Sequence, residues 1–215
     1  MKAGSTRVRV RRHPERADYD PATVTAILDE ALICHLGFVH DGHPFVIPTM
    51  YARAGETVYL HGSPASRMLT TLAGGVDVCM TVTLLDGLVL ARSAFHHSMN
   101  YRSVVILGRA EEVTDPDERM AAFEALVEHV MPGRWADTRS PNPKEMDTTI
   151  VLRLPLAQAS AKIRSGPPLG PAADHELPHW SGVLPLAIVP GPTVADPTLA
   201  DGIPVPGYIT GYRRS

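Results

Sequence analysis

The chain has 215 residues, 44% of them hydrophobic and 20% charged, with a formal net charge of −3. That length supports one sizeable core, and so small a charge provides no field toward nucleic acid or an anionic membrane. No apolar run approaches the about 20 residues of a membrane span, and none follows the basic opening residues as a secretory signal requires, so the chain reads as cytoplasmic.

The opening run Arg7-Val8-Arg9-Val10-Arg11-Arg12 is basic but short and isolated. A nucleic-acid footprint needs charge clustered on a folded face, so the run is expected to form an exposed arm or a strand packed in a dimer. Next, Asp20-Pro21 precedes Val24, Ile27, Leu28, Ala31 and Leu32 at helical spacing. Ser63-Pro64 precedes Met68, Leu69 and Leu72 before Gly74-Gly75, and Asp115-Pro116 precedes Met120, Phe123, Leu126, Val127 and Val130 before Pro132-Gly133. A capping side chain followed by proline at the first helical position predicts a helix at each place. Glu118, three residues after Asp115, fits a capping box. Cys34 falls near the end of the first helix so predicted and Cys79 in a strand. Without C-x-x-C spacing, both read as small core residues in a reducing compartment.

Strand signals lie between the helices. Residues 35–40 run into Asp41-Gly42, a hairpin signal, and continue as 45–51. Residues 57–60 form a short strand. Val76, Val78, Met80, Val82 and Leu84 alternate with polar or small residues and predict a strand with one buried face. Asp86-Gly87 is expected to turn the chain into 88–94, and strands follow at 103–107, 150–154 and 159–163. Short strands joined by Asp-Gly turns, with helices between only some of them, argue an antiparallel barrel with peripheral helices. From Gly166 onward prolines exclude regular helix and central strand, yet Trp180, Val183, Leu184, Leu186, Ile188 and Val189 are too apolar for a free tail. The expected organisation is a barrel domain over residues 1–165 and a proline-rich arm over 166–215, wrapped on the barrel or on a partner subunit.

Three segments carry chemistry. In Tyr59-Leu60-His61-Gly62-Ser63-Pro64-Ala65-Ser66-Arg67, a strand ends and a helix begins at once. Free amides, two serine hydroxyls and an arginine there suit a phosphate, or equally a well-capped helix with a solvated Arg67. In His96-His97-Ser98-Met99-Asn100-Tyr101-Arg102-Ser103, donors and an aromatic open a strand, because they line a flat ligand or form a polar rim. The adjacent histidines make a poor metal site, since neighbours on a strand face opposite ways and no carboxylate or cysteine cluster adjoins them. His40 and His43, flanking the Asp-Gly turn, are expected to be exposed. In Phe45-Val46-Ile47-Pro48-Thr49-Met50-Tyr51, Pro48 requires an edge or a bulge, which leaves backbone free for another partner.

In this order the segments resemble the pyridoxamine 5′-phosphate oxidase-related flavin-nucleotide-binding family, with the nitroimidazole-resistance proteins as relatives. The resemblance rests on HPERADYD, ILDEAL, DGHPFVIPTMYAR, YLHGSPASR, LLDGLVLARSAFHHSMNYRSVVILGRAEEV and WSGVLP. It implies a mainly β, antiparallel split barrel that forms a homodimer and binds FMN in the cleft between subunits. By resemblance Val46, Ile47, Pro48, Thr49 and Tyr51 meet the isoalloxazine edge. His61, Gly62, Ser63, Ser66 and Arg67 hold ribityl and phosphate. Tyr101, Arg102 and Ser103 reach the flavin, and Trp180 adds an aromatic from the arm. The vitamin B6 oxidases end in an arginine-rich segment that holds substrate phosphate, whereas this chain ends Gly-Tyr-Arg-Arg-Ser, so the resemblance implies a different substrate. His61, whose ordinary pKa lies near neutrality, is the candidate for proton transfer or for a hydrogen bond to the cofactor. The function expected is an FMN-dependent oxidoreductase acting on a small organic or nitroaromatic molecule. A haem-binding or haem-degrading split barrel, an F420-dependent reductase and a flavin carrier without turnover are the alternatives.

Overall fold

The computed structural model describes residues 6–213. Its elements follow in chain order: β1 (Ala17–Asp18), α1 (Pro21–Glu30), β2 (Ile33–His40), β3 (His43–Met50), β4 (Ala52–Ala54) and β5 (Thr57–Gly62). Then come α2 (Arg67–Ala73), β6 (Asp77–Leu90), β7 (Ser98–Arg109), β8 (Glu111–Glu112) and α3 (Pro116–Val130). The last are α4 (Pro143–Asp147), β9 (Ile150–Pro155), β10 (Ala159–Arg164), β11 (Gly182–Pro185) and α5 (Gly207–Thr210).

The strands form two antiparallel sheets. One runs β1-β10-β7-β6-β2-β3, with β11 added on β6; the other runs β4-β5-β9-β8. The chain changes sheet through single residues, Tyr51 between β3 and β4 and Ala110 between β7 and β8, and both are buried. Short corners of this kind fold the sheets over one core, an antiparallel split barrel. Leu36, Met80, Val82, Val104 and Ile106 of the larger sheet meet Val58, Leu60, Leu152 and Leu154 of the smaller one, with Leu28 of α1 and Leu69 and Leu72 of α2 closing the gap. A second, smaller cluster under α3 joins Val113, Ala122 and Val151.

Local chemistry explains the boundaries. Asp20 accepts from the Ala22 amide at 3.0 Å and Pro21 opens α1, as the sequence predicts. Asp41 and Gly42 both have positive φ, 49° and 75°, the pairing of a type I′ hairpin that joins β2 to β3. β3 is an edge strand, which satisfies the demand made by Pro48.

Several expectations need correction. The helix expected at Pro64 starts at Arg67 with Ser66 as its cap, because Ser63 spends its hydroxyl on the Ala65 amide in the preceding turn. Asp115 caps α3, but the Glu118 carboxylate turns to Arg153 and Tyr59 instead of closing a box; the complete capping box is Asn142 with Glu145 on α4. Cys34 lies in β2, not at a helix end, since α1 stops at Glu30. Asp86-Gly87 makes no hairpin: β6 continues through it with a bulge between Leu85 and Gly87, which pairing on both sides by β7 and β11 enforces. The arginines of the basic opening run are exposed as expected, and the run is tied to the barrel where Val8 is buried, Arg7 approaches Asp77 and the Val10 amide donates to the Tyr19 hydroxyl. His40 is half-buried and hydrogen-bonds Thr71, while His43 is exposed.

Candidate functional site

Residues 46–49 lie along the free edge of β3, where Val46 is exposed and Ile47 packs against the core. The Arg67 guanidinium sits over the Phe45 ring at 4.3 Å, which brings the arginine of the expected phosphate cradle to the start of this edge. Arg67 is exposed, and among the described residues no carboxylate pairs with it. Gly62 lets the chain pass close to the helix, since a Cβ there would meet Leu69 Cδ1 at 2.9 Å. Tyr51 is fully buried and donates its hydroxyl to the Leu28 carbonyl at 2.6 Å, so its side chain serves the core.

His61 touches a different element. Val58 and Leu60 face the core, so Tyr59 and His61 face α3, where the His61 ring meets Phe123 edge-on at 6.2 Å. Its Nδ1 is buried with no hydrogen-bond partner, and burial holds the imidazole below its ordinary pKa. The imidazole is held neutral beneath α3, and its unpartnered Nδ1 is closed off from solvent.

Tyr101, Arg102 and Ser103 lie within the first half of β7, beside the β6 bulge. Arg102 is committed to carboxylates: Nε and a terminal nitrogen donate to Asp86 at 3.0 and 2.8 Å, and the terminal nitrogens also hold Glu30 of α1. Both carboxylates hold its pKa above the ordinary value. Ser103 donates to the Lys162 carbonyl at 3.2 Å. Trp180 precedes β11 with 68% of its surface exposed; its ring lies against the Gly182 backbone, where a Cβ would meet it at 2.8 Å. The arm is thus pinned by β11 on β6 and again near its end, where the Tyr208 hydroxyl donates to Asp137 at 2.7 Å. Arg214 and Ser215, part of the chain end that departs from the B6 oxidases, lie outside the described residues.

The predicted residues therefore form two groups, Arg67 with the β3 edge, and the start of β7 with the arm, while His61 faces α3. None of them lines either principal cavity. One, of about 530 Å³, lies among α1, the end of α3 and Tyr212. The other, of about 240 Å³, lies between the segment before β7 and the arm, lined by Arg92, His96, Leu169, Asp174 and His175. Of the segment from His96 to Ser103 that the sequence marked as ligand-lining or rim, only His96 lines this second cavity. Sequence reasoning passed over Arg164, which is buried and donates to Asn100 and to the Gly166 and Pro167 carbonyls. A lone arginine before a glycine carries no signal that it will be buried.

Two antiparallel sheets joined at buried corners, with Arg67 at an open strand edge, define a split-barrel fold. Residues 20–163 match the family model described as pyridoxamine 5′-phosphate oxidase, and the chain belongs to that family. Over its whole length it is 41% identical to the flavocytochrome Anf3 from Azotobacter vinelandii, with all of both chains covered and a TM-score of 0.93. The FAD and haem binding protein from Mycobacterium smegmatis is 33% identical, covers 91% of this chain and 96% of its own, and has a TM-score of 0.87. A candidate 5-nitroimidazole antibiotic resistance protein from Bacteroides thetaiotaomicron, 24% identical over 68% of this chain and 86% of its own with a TM-score of 0.56, shares the fold. Comparison with curated proteins finds no match.

Proposed function

We propose that the protein binds a flavin nucleotide on the β3 edge and works as a redox protein of the flavocytochrome kind. The observation that carries this reading is Arg67, held over Phe45 at an open strand edge and opposed by no carboxylate among the described residues. A guanidinium so placed would take a phosphate, and the unpaired backbone of residues 46–49 would take the polar edge of the isoalloxazine. The sequence resemblance points to FMN, whereas the relative at 33% identity binds FAD. Arg67 suits the phosphate chemistry of both, and the mass of the ligand released from purified protein decides between them.

The flavin, when bound, supplies the electron chemistry, while the chain binds, orients and shields it. His61, neutral near pH 7, lies under α3 and apart from the β3 edge, so this reading gives it no direct contact with the flavin. The cleft is completed by a second copy, whose arm would bring Trp180 and Leu184, both exposed on the single chain, against apolar surface. Such a protein acts in the cytoplasm as an oxidoreductase on a small organic molecule. A nitroaromatic substrate draws support only from a neighbour at 24% identity, which speaks to the fold.

A second reading adds haem to the flavin, and two relatives above 30% identity favour it. Absorption of the purified protein separates the cases, with a flavin band near about 450 nm and a haem Soret band near about 400 nm as the cofactors' own signatures. Protein that carries neither chromophore, and acquires neither on addition, would overturn the proposal.

A further inference from the structure

The arm closes a small cavity against the connection between β6 and β7, and the arm is fixed on both sides of it. Before the cavity, Arg164 donates to the Pro167 carbonyl at 3.1 Å and Asn100 to the Gly166 carbonyl at 3.2 Å. After it, Ser181 donates to the Leu90 carbonyl at 3.1 Å, where β11 begins to pair with β6. Arg92 and His96 line the cavity from the barrel, and Asp174 lines it from the arm, on a 3₁₀ turn over Ala172–Glu176. The two walls flank Gly170, since a Cβ there would lie 3.7 Å from both the His96 ring and the Asp174 carboxylate.

The charges in this cavity are unmatched. Arg92 is half-buried, its Nε is closed off from water without a partner, and among the described residues nothing else pairs with it. The half-buried Asp174 carboxylate likewise has no partner there, and no ion pair joins it to Arg92. Other partly buried arginines of the chain are satisfied: Arg53 holds Asp29, Arg102 holds Glu30 and Asp86, and Arg164 holds backbone carbonyls. Leaving opposite charges half-buried and unpaired is costly, and a ligand with the two complementary charges satisfies both.

Size and lining narrow the class. At about 240 Å³ the cavity falls below the roughly 300–1,000 Å³ of common ligand pockets, so it suits a molecule much smaller than a nucleotide. A simple acid would leave Asp174 unmatched and a simple amine would leave Arg92 so, whereas a zwitterion answers both. Pro167, Pro168 and Leu169 add an apolar wall for a short hydrocarbon chain. We propose that this cavity binds a small aliphatic amino acid, its carboxylate on Arg92 and its ammonium on Asp174. The site shares no residue with the β3 edge, and nothing in it depends on the flavin reading.

The test is isothermal titration calorimetry of the full chain with three probes: L-leucine, 4-methylpentanoate, which lacks the ammonium, and 3-methylbutylamine, which lacks the carboxylate. Wild type should bind leucine at one site per chain and each analogue more than about tenfold more weakly, the loss expected when one charged hydrogen-bonding group is removed. Arg92→Gln should no longer distinguish leucine from 3-methylbutylamine, and Asp174→Asn should no longer distinguish leucine from 4-methylpentanoate. Gly170→Ala places a methyl beside His96 and Asp174 at ordinary contact distance, so it should unfold at the wild-type temperature yet bind leucine more than about tenfold more weakly. No heat from wild type with millimolar leucine overturns the proposal, as does 4-methylpentanoate binding as tightly as leucine. Unchanged binding by Gly170→Ala, or an equal loss of all three probes in Arg92→Gln, overturns it too. Leucine binding by protein that takes up no flavin would uphold this site while removing the flavin reading, and flavin binding without leucine would do the reverse.

Discussion

Arg67 lies over Phe45 at 4.3 Å, a contact that ties the first residue of α2 to the edge strand β3. The proposed phosphate site rests on this pair. Arg67→Ala should weaken a flavin nucleotide by ~1.5–3 kcal/mol, the worth of hydrogen bonds to a charged group, or roughly ten- to a hundredfold. Riboflavin, which lacks the phosphate, should bind almost unchanged. Arg67→Lys should recover part of the loss, because an ammonium lacks the planar fork. Fluorescence titration of apoprotein measures all of these, and equal losses for nucleotide and riboflavin would show Arg67 supporting the fold alone.

A single chain leaves Trp180, Leu184, Met99 and Leu85 exposed near the β6–β7–β11 region. A homodimer is expected, with an interface above the ~1,000 Å² usual for a biological contact. Sedimentation at micromolar concentration should give twice the chain mass, and Leu184→Asp should shift it toward monomer with loss of flavin. A flavin-loaded monomer in the wild type would contradict both the interface and the shared cleft.

His61 has its pKa lowered from 6.5 by burial. The folded state therefore binds fewer protons than the unfolded state between the lowered value and 6.5, so stability falls as pH drops through that window and is fully present above it. His61→Gln should flatten the pH dependence of urea midpoints there. Histidine NMR titration should show one ring that stays neutral below its ordinary midpoint. A normal midpoint for that resonance would remove the argument for a neutral imidazole.

Arg102 bridges Glu30 of α1 and Asp86 at the β6 bulge, all three partly buried. Exposed pairs are worth about 0–1 kcal/mol and breaking buried ones costs about 3–5, so Arg102→Met should lose ~1–3 kcal/mol in urea unfolding. Flavin affinity per folded site should change far less. A variant of wild-type stability that binds flavin weakly would instead return Arg102 to the cofactor.

Much of the fold was legible in the sequence because its signals are local. Asp20-Pro21 and Asp115-Pro116 satisfy orphan amides wherever they stand, Asp41-Gly42 adopts positive φ at little cost, and Pro48 cannot sit in an interior strand. Tertiary contact decided the rest. Asp86-Gly87 has the composition of a turn, but pairing with β7 and β11 holds it as a bulge within one long strand. Ser63-Pro64 has the form of a cap, but the turn it makes defers the helix to Ser66 and lays Arg67 on Phe45. The serines and Arg67 of this turn were therefore readable as composition, whereas the placement of Arg67 at an open edge was not. His96 and His175 carry no mutual spacing signal, since only the folding back of the arm sets them around one cavity. Local free energies are written in neighbouring residues, but the meeting of distant segments depends on which surfaces the whole chain buries.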